Sequence, residues 1–278
     1  MERAETRKQW ESAAPGWAKW EDTIAQWVAP ATEAMLDMAG VIPGAQVLDL
    51  ASGAGSQTLH AARRVGATGR VVASDISETM LQHVRENARA ARLENVSTLA
   101  GAAEDLEVEP GSFDAVTCRL GLMLFAEPAK ALNAAKRALK PGGKLALVVP
   151  TTPAANAFLA KPMQILLRRA GKSPPPPGRP GLFALGAPGV LERLLTDSGF
   201  ASLEQRAVTS PLRMPCANDV VAMMQDAFGA YRAVVSECSE AVRSAAWAEV
   251  AETLKTFEIS AGFEGPTELL VAAGAKPA

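Results

Sequence analysis

Two glycines and an acid near the start of the chain are spaced in a way that suits a nucleoside ligand. Gly53 and Gly55 lie in a turn that follows the apolar segment 46–51 and precedes a helix predicted to begin at Ser56. Glycine lets a backbone approach a ligand closely, and the free N–H groups at a helix start suit a polar or anionic edge. Asp49 lies near the carboxyl end of the preceding strand, where open α/β sheets place their ligands. The stretch predicts a ligand site.

A second acid, Asp75, ends the apolar segment 70–74 and lies 20 residues after Gly55. At that separation a strand-end carboxylate binds the hydroxyls of a ribose. The two features together predict a nucleoside cofactor. A dinucleotide site would need a third glycine for packing of the helix on the strand, and Thr58 occupies that position. A nicotinamide oxidoreductase of the Rossmann type is therefore the alternative rather than the preferred interpretation.

The elements that must position these residues alternate between strand and helix. Strands are predicted at 46–51, 70–74, 95–100, 113–120, 144–149, 201–208 and 267–273. Helices are predicted at 1–40 with a break at Pro15–Gly16, and at 56–65, 78–91, 128–139, 189–198 and 214–257. Such alternation is typical of an α/β fold with a doubly wound sheet. The proline run 173–180 predicts a rigid strap.

Segments in this order resemble the class I S-adenosylmethionine-dependent methyltransferases. The stretch 49–55 is similar to motif I of that family, an acid, an apolar residue and G-x-G-x-G, with Ala51 in place of the first glycine. The stretch 101–106 is similar to the family's loop after strand three, although Ala102 stands where an aspartate is common. The turn 140–143 also matches. Within the family the chain is most similar to the ubiquinone/menaquinone C-methyltransferase-like group, which acts on small molecules.

This resemblance implies a Rossmann-like seven-stranded sheet whose last strand is antiparallel, with a mostly helical cap. We expect one domain over 1–278 and cap elements at 1–40, 151–187 and 212–260. It implies S-adenosylmethionine as the cofactor and a small apolar or aromatic acceptor, methylated on carbon or oxygen. The implied cofactor-binding residues are Asp49, Ala51, Ser52, Gly53, Gly55, Asp75, Ile76, Ala103, Glu104, Arg119 and Leu120.

The acceptor side and the catalytic base are less defined. Trp17, Trp20 and Trp27 have helical spacing that places them near one face. They could dock on the core or form a wall of the substrate pocket, and both interpretations stay open. No catalytic base is identified, and Tyr231 in the cap is the candidate. The two histidines, at positions 60 and 83, fall on predicted helices of the cofactor domain, and no metal site is predicted.

The overall composition excludes several classes of function. The net charge of −2 argues against a nucleic-acid-binding surface, which is normally basic. Three scattered cysteines without metal spacing favour reduced thiols and a cytoplasmic location. No apolar run is long enough to span a membrane, and the start of the chain is unlike a signal peptide. The expected partner is a small-molecule acceptor. A non-catalytic protein with the methyltransferase fold is a further alternative.

Overall fold

The computed structural model describes residues 3–174, 176 and 178–278 and contains a large mixed sheet between layers of helices. The strands are β1 (Gln46–Leu50), β2 (Arg70–Asp75), β3 (Val96–Ala100), β4 (Phe113–Arg119), β5 (Leu139–Pro150), β6 (Ala201–Thr209), β7 (Leu212–Met214), β8 (Glu258–Ile259), β9 (Gly262–Gly265) and β10 (Glu268–Ala275). The helices are α1 (Arg3–Lys19), α2 (Glu21–Met38), α3 (Ser56–Val65), α4 (Glu78–Ala90), α5 (Pro128–Ala138), α6 (Ala157–Arg169), α7 (Val190–Asp197), α8 (Ala217–Ala227), α9 (Gly229–Val235) and α10 (Glu240–Leu254). Short 3₁₀ turns lie at Ala103–Asp105, Leu122–Leu124 and Lys255–Phe257.

The large sheet has seven strands in the order β3-β2-β1-β4-β5-β10-β6. Strands β1 to β5 are all parallel to one another, whereas β10 is antiparallel to both β5 and β6. The predicted Rossmann-like α/β sheet with an antiparallel last strand is therefore confirmed. The strand order reverses beside β1, which lies between β2 and β4. In open α/β sheets, such a reversal places a ligand crevice at the carboxyl ends of the strands.

Both faces of the sheet are covered, so its central strands are apolar almost throughout. Val47 and Val148 pack into one layer with α2, α3, α6 and the helices α8 to α10. Leu48 and Leu147, one residue away on the same strands, pack into the opposite layer with α5 and α7. This alternation follows from the two-residue period of a strand. The ends of these strands are thus held rigidly from both sides.

The N-terminal helices differ in detail from the sequence prediction. Helix α1 runs through Pro15 without a break and ends at Lys19. The break lies at Trp20, with φ −102° and ψ 12°, so the predicted break at Pro15–Gly16 is wrong. Gly16 has a packing role, because a Cβ there would lie 2.0 Å from the carbonyl oxygen of Asp226 in α8. The glycine lets α1 and α8 touch along their backbones.

Other parts of the predicted cap are also rearranged. The irregular stretch after β5 contains α6, and the single helix predicted over 214–257 is divided into α8, α9 and α10. Phe228, with φ −90° and ψ 78°, separates α8 from α9. A small sheet in the order β7-β9-β8 was not predicted. Positions 1, 2, 175 and 177 lie outside the described residues, and the strap over 173–180 stays a prediction.

Throughout the described ranges, no helix combines the length and the apolarity that are needed to cross a membrane.

Candidate active site

A deep cavity lies at the carboxyl ends of β1, β2, β3 and β4, between the sheet and the N-terminal helices. Its volume is about 1140 Å³, the open mouth included. Loops after the four strands form the floor, and α1 with the start of α2 forms the roof. The apolar residues of the lining include Trp10, Trp17, Ile24, Leu124 and Phe125. The cavity is therefore largely apolar, and its polar side chains are few and come mainly from the loops of the floor.

Most of the sequence-predicted cofactor residues line this cavity, although they come from distant parts of the chain. The lining residues among them are Ala51, Ser52, Gly53, Gly55, Asp75, Ile76, Ala103, Glu104, Arg119 and Leu120. Gly101 and Ala102 also contribute. The exception is Asp49, which is fully buried beneath the loop after β1.

The loop after β1 has the backbone geometry expected of a ligand cradle. Gly55 precedes α3 with φ +106°, and a Cβ there would lie 3.0 Å from a methyl of Val84. Ala51 has φ +50°, a left-handed conformation that is uncommon for residues with a side chain and tends to occur at functional sites. This explains why the family pattern has glycine at that position. The Ser52 hydroxyl is buried and has no hydrogen-bond partner among the described residues. A buried hydroxyl that makes no protein hydrogen bond at the wall of a cavity is free to bond to a bound molecule.

Asp49 holds the loop in place from below. One of its oxygens accepts a hydrogen bond from Thr58 (Oγ1–Oδ2 2.6 Å), and the other accepts one from Thr117 (Oγ1–Oδ1 2.9 Å). Gln57 donates a weaker bond of 3.4 Å. Burial raises the pKa of Asp49, and these donors partly offset the effect. Asp49 therefore anchors the loop and does not face the cavity, and Thr58 has a structural role where a dinucleotide site would need glycine.

Asp75 faces the cavity from the end of β2. Its Oδ2 accepts from the backbone N–H of Gly53 at 3.0 Å, and its Oδ1 accepts from that of Ser77 at 2.9 Å. The side chain thus fixes the loop after β1 against the start of α4. Burial raises the pKa of Asp75 to about 6. Each carboxylate oxygen has a further lone pair, so Asp75 can also accept ligand hydroxyls.

A buried cation, Arg119, and a further carboxylate, Glu21, also belong to the polar lining. Arg119, at the end of β4, donates from Nη1 to the Thr32 hydroxyl (2.9 Å) and from Nη2 to the Ser56 hydroxyl (2.7 Å). Burial lowers the pKa of Arg119 to about 10. Glu21, the first residue of α2, accepts from Asn87 Nδ2 at 2.7 Å. Burial raises the pKa of Glu21 to about 7, although the nearby Arg119 opposes the shift.

Glu21 was missed at the level of sequence because Lys19, Glu21 and Asp22 form a charged cluster that is typical of an exposed turn. Only the packing of α1 and α2 over the strand ends turns Glu21 into the cavity. No local sequence signal distinguishes it from Asp22, which is exposed.

The three tryptophans predicted for the substrate side lie in different environments. Trp17 lines the cavity, and its indole N–H is buried with no partner among the described residues. Trp20 lies outside the cavity and donates to Asp226 at 2.8 Å. Trp27 is in the core, donates to the carbonyl oxygen of Ser210 at 2.8 Å, and packs edge-on against Phe158. The expectation that all three share one face is therefore corrected.

Tyr231 is also outside the cavity. Its hydroxyl donates to the carbonyl oxygen of Leu159 at 2.8 Å, and the side chain is 3% exposed. Burial raises the pKa of Tyr231 further above its ordinary value. The candidate hydroxyl is thus engaged in the core of the cap. His60 pairs with Glu33 at the surface (Nε2–Oε1 2.7 Å), and neither it nor His83 lines the cavity.

Comparison with known proteins agrees with this geometry. Residues 43–164 match the model of a family described as a methyltransferase domain. Over 111 residues the chain is 43% identical to the ubiquinone/menaquinone biosynthesis C-methyltransferase UbiE of Escherichia fergusonii, a match that covers 40% of this chain and 44% of that protein. The chain thus spans less than half the length of the curated relatives it matches.

Solved structures with the same fold cover more of the chain. The YcgJ protein from Bacillus subtilis has a TM-score of 0.59 at 18% identity, with 90% of this chain and 99% of that chain covered. The geranyl diphosphate C-methyltransferase from Streptomyces coelicolor, in complex with Mg²⁺, geranyl diphosphate and S-adenosyl-L-homocysteine, has a TM-score of 0.54 at 15% identity, with 89% and 79% covered. The resemblance to the class I methyltransferases that the sequence predicts is confirmed, and residues 43–164 match a methyltransferase domain.

Proposed function

We propose that this protein transfers a methyl group from S-adenosylmethionine to a small apolar or aromatic acceptor, on carbon or oxygen. One observation carries the proposal: the cavity joins the strand-end acid Asp75 to a strained glycine-rich loop with an unpaired serine hydroxyl, under an aromatic roof. The methyltransferase-domain match over 43–164 supports it.

The lining residues suit the cofactor from one end to the other. Asp75 would accept the ribose hydroxyls, and Ile76, Ala103 and Glu104 would lie along the adenine. Ser52 and the rest of the loop 51–55, together with Arg119 and Leu120, would hold the methionine end. When bound, this cofactor supplies a sulfonium, which is already an activated methyl donor.

The protein then needs mainly to align the acceptor and to exclude water. Alignment of two reactants in a productive geometry is worth on the order of 7–11 kcal/mol of a reaction barrier. The roof of Trp10 and Trp17 over the strand ends provides such a walled space. Because α1 and α2 form part of the wall, we propose that the chain works as one unit, with the cap elements 1–40, 151–187 and 212–260 over the sheet.

The chemistry of the roof favours a flat or prenylated acceptor. Aromatic and aliphatic side chains bind such molecules through apolar area, and a few polar groups fix their orientation. The relatives' names point the same way, since one refers to ubiquinone and menaquinone biosynthesis and another to geranyl diphosphate. We therefore propose phenols, hydroquinones and prenylated hydroquinones as the first acceptors to test, and no nucleic acid, given the net charge of −2.

Calorimetry and an activity assay test the proposal together. We expect S-adenosylhomocysteine to bind and NADH not to bind, because Thr58 fills the position that a dinucleotide site leaves to glycine. Methyl-labelled S-adenosylmethionine should then label at least one member of the acceptor panel. Binding of NADH without S-adenosylhomocysteine would instead support an oxidoreductase. Cofactor binding with no labelled product across the panel would favour a non-catalytic protein of this fold.

A further inference from the structure

We propose that Glu21 is the catalytic base that takes a proton from the methyl acceptor. This inference rests on the proposed methyltransferase function. It identifies a catalytic base, which could not be assigned from the sequence. It concerns the roof of the cavity, which is outside the family's motif segments.

Glu21 is positioned to face an acceptor. Trp17 lies four residues before it and Ile24 three residues after it, and all three line the cavity. The other carboxylates in the described lining are on the sheet side, Asp75 at the end of β2 and Glu104 in the turn after β3. Both oxygens of Asp75 already accept backbone N–H groups. Glu21 is thus the carboxylate that the roof presents within an apolar wall.

The anchoring of Glu21 fixes its carboxylate. Asn87 donates one side-chain N–H to Glu21 Oε2 at 2.7 Å and also contacts the carbonyl oxygen of Ala54 at 3.2 Å. The backbone N–H of Ser56, at the start of α3, also lowers the pKa of Glu21. The carboxylate of α2 is thus held against α4 and the start of α3. A base must be held in this way to act on a bound molecule.

Two donors nearby suit the negative charge that appears when the acceptor loses its proton. The Arg119 cation acts electrostatically on Glu21 and is fixed by the Thr32 and Ser56 hydroxyls. The Trp17 indole N–H, near the end of α1 and just before Glu21 begins α2, is buried with no partner in the described part of the chain. Fixed donors of this kind stabilise a developing oxyanion in a site that excludes water.

The proton and electron balance is complete with these groups. The O–H proton of a phenol or enol moves to a Glu21 oxygen. An electron pair of the resulting oxyanion, on oxygen or on the conjugated carbon, forms the bond to the methyl carbon. The bond from that carbon to sulfur breaks, and its electron pair stays on sulfur. In C-methylation the neutral dienone loses the proton of the attacked carbon to water, and the resulting phenolate oxygen takes back the proton held by Glu21. In O-methylation Glu21 releases its proton to water as the product leaves.

The proton affinity of Glu21 agrees with this role. Burial raises its pKa to about 7, Arg119 lowers it, and Asp22 raises it slightly. A base is most effective when its pKa lies near the working pH. A bound sulfonium adds positive charge and lowers the pKa further, so we expect the acidic limb of the kcat profile at or below about pH 7.

The test compares Glu21→Gln with Asp22→Asn, which removes a carboxylate at the next position on the exposed side of the helix. The assay uses the acceptor of the panel that the wild-type protein methylates fastest. With it, we expect Glu21→Gln to lower kcat by about 10²–10⁴-fold and to abolish the fall of kcat at acidic pH. Its affinity for S-adenosylhomocysteine should stay within about threefold of wild type. Glu21→Asp should keep the limb with a reduced kcat, and Asp22→Asn should change kcat by less than about twofold. Thermal melting checks that all variants fold.

Two outcomes would overturn the proposal. In the first, Glu21→Gln keeps both its kcat and its acidic limb. In the second, it loses affinity for S-adenosylhomocysteine by more than about tenfold while kcat at saturating cofactor is unchanged, so that Glu21 binds the ammonium of the cofactor instead. A wild type that binds no S-adenosylhomocysteine or labels no acceptor contradicts the proposed function itself, and the inference falls with it.

Discussion

Replacement of Asp75 by asparagine tests the cofactor site most directly. The carboxylate sits at the end of β2, is 7% exposed, and lines the cavity next to the loop after β1. We expect Asp75→Asn to weaken the binding of S-adenosylhomocysteine because an amide accepts the ribose hydroxyls less strongly than a carboxylate. Asparagine keeps the shape of the side chain, so the change removes the charge and replaces one acceptor oxygen with a donor without opening a cavity.

The size of the effect follows from the contacts. Hydrogen bonds to a charged group contribute about 1.5–3 kcal/mol each, and the neutral equivalents about half as much. For two ribose hydroxyls the net loss is about 1.5–3 kcal/mol, which corresponds to about 10- to 150-fold in the dissociation constant. The amide N–H₂ would also face the N–H of Gly53, which now donates to Oδ2 at 3.0 Å. We therefore expect a loss of about 1–3 kcal/mol in the free energy of unfolding as well.

The pH dependence gives a second and independent signature. Asp75 has a pKa of about 6 in the folded protein, against an ordinary value of 3.8. Ribose hydroxyls donate to the ionised form, so affinity should fall as the pH drops below about 6. At pH 5 about one tenth of the protein has an ionised Asp75, and binding should be about tenfold weaker than at pH 7. The pKa of Asp75 is higher in the folded protein than in the unfolded chain, so protonation of this carboxyl favours folding. Its contribution to the free energy of unfolding is complete below pH 3.8 and is lost as the pH rises through about 6. Weaker binding at pH 5 is therefore not caused by unfolding through Asp75.

Calorimetry of S-adenosylhomocysteine binding at pH 5, 6 and 7 measures both signatures. Asp37→Asn, which changes a surface carboxylate paired with Arg64, is the matched control. We expect the pH dependence to disappear in Asp75→Asn and to persist in the control. A folded Asp75→Asn protein with wild-type affinity at pH 7, or with the same loss of affinity at pH 5, would show that Asp75 does not bind the ribose.

The other predictions concern the roof and the cap. Trp17→Phe removes the unpaired indole N–H but keeps an aromatic ring, and we expect turnover to fall by about tenfold with little change in urea denaturation. Trp27→Ala should instead lower the free energy of unfolding by about 3–5 kcal/mol and leave the cofactor affinity of the folded protein unchanged. Tyr231→Phe should cost about 0.5–1.5 kcal/mol of stability through the lost bond to Leu159, and a tenfold fall in turnover would contradict its placement in the core. The double change His60→Gln and His83→Gln should alter turnover by much less than about a hundredfold, since a larger loss would mean that a histidine is the base.

The sheet and the floor of the cavity were predictable because their signals are local and ordered along the chain. The glycines before α3, the acid that ends β2 and the alternation of strands with helices all act within a few residues of one another. Parallel strands place their carboxyl ends at one edge, so the loops meet once the order is known. Asp75 was therefore placed on the cavity from its position alone, while its binding role stays a prediction.

The roof was not predictable in the same way, because it depends on how helices pack on a sheet. The spacing of seven between Trp20 and Trp27 implies a shared face only if one helix continues through both. The irregular backbone at Trp20 interrupts the helix, and each tryptophan then takes its own partner, Asp226 for Trp20 and the carbonyl oxygen of Ser210 for Trp27. Glu21 begins the new helix, and its direction is set by contacts with α4 that no sequence period records.

The position of β10 between β5 and β6 has a consequence for synthesis on the ribosome. The last strand, β10, is an internal strand of the sheet. Its Val271 pairs with Val148 of β5 on one side and with Arg206 of β6 on the other. Strands β1 to β5 can pair with one another as soon as they leave the ribosome. The outer edge of β5, however, stays unpaired until β10 has been synthesised up to Ala275. At about 5–20 residues per second, the stretch from Pro150 to Ala275 takes roughly 6–25 s to translate. During that time an apolar strand edge is exposed on the nascent chain, and such edges pair readily with other chains. Slow decoding between these positions should therefore favour aggregation, while coverage of the β5 edge by a chaperone should suppress it.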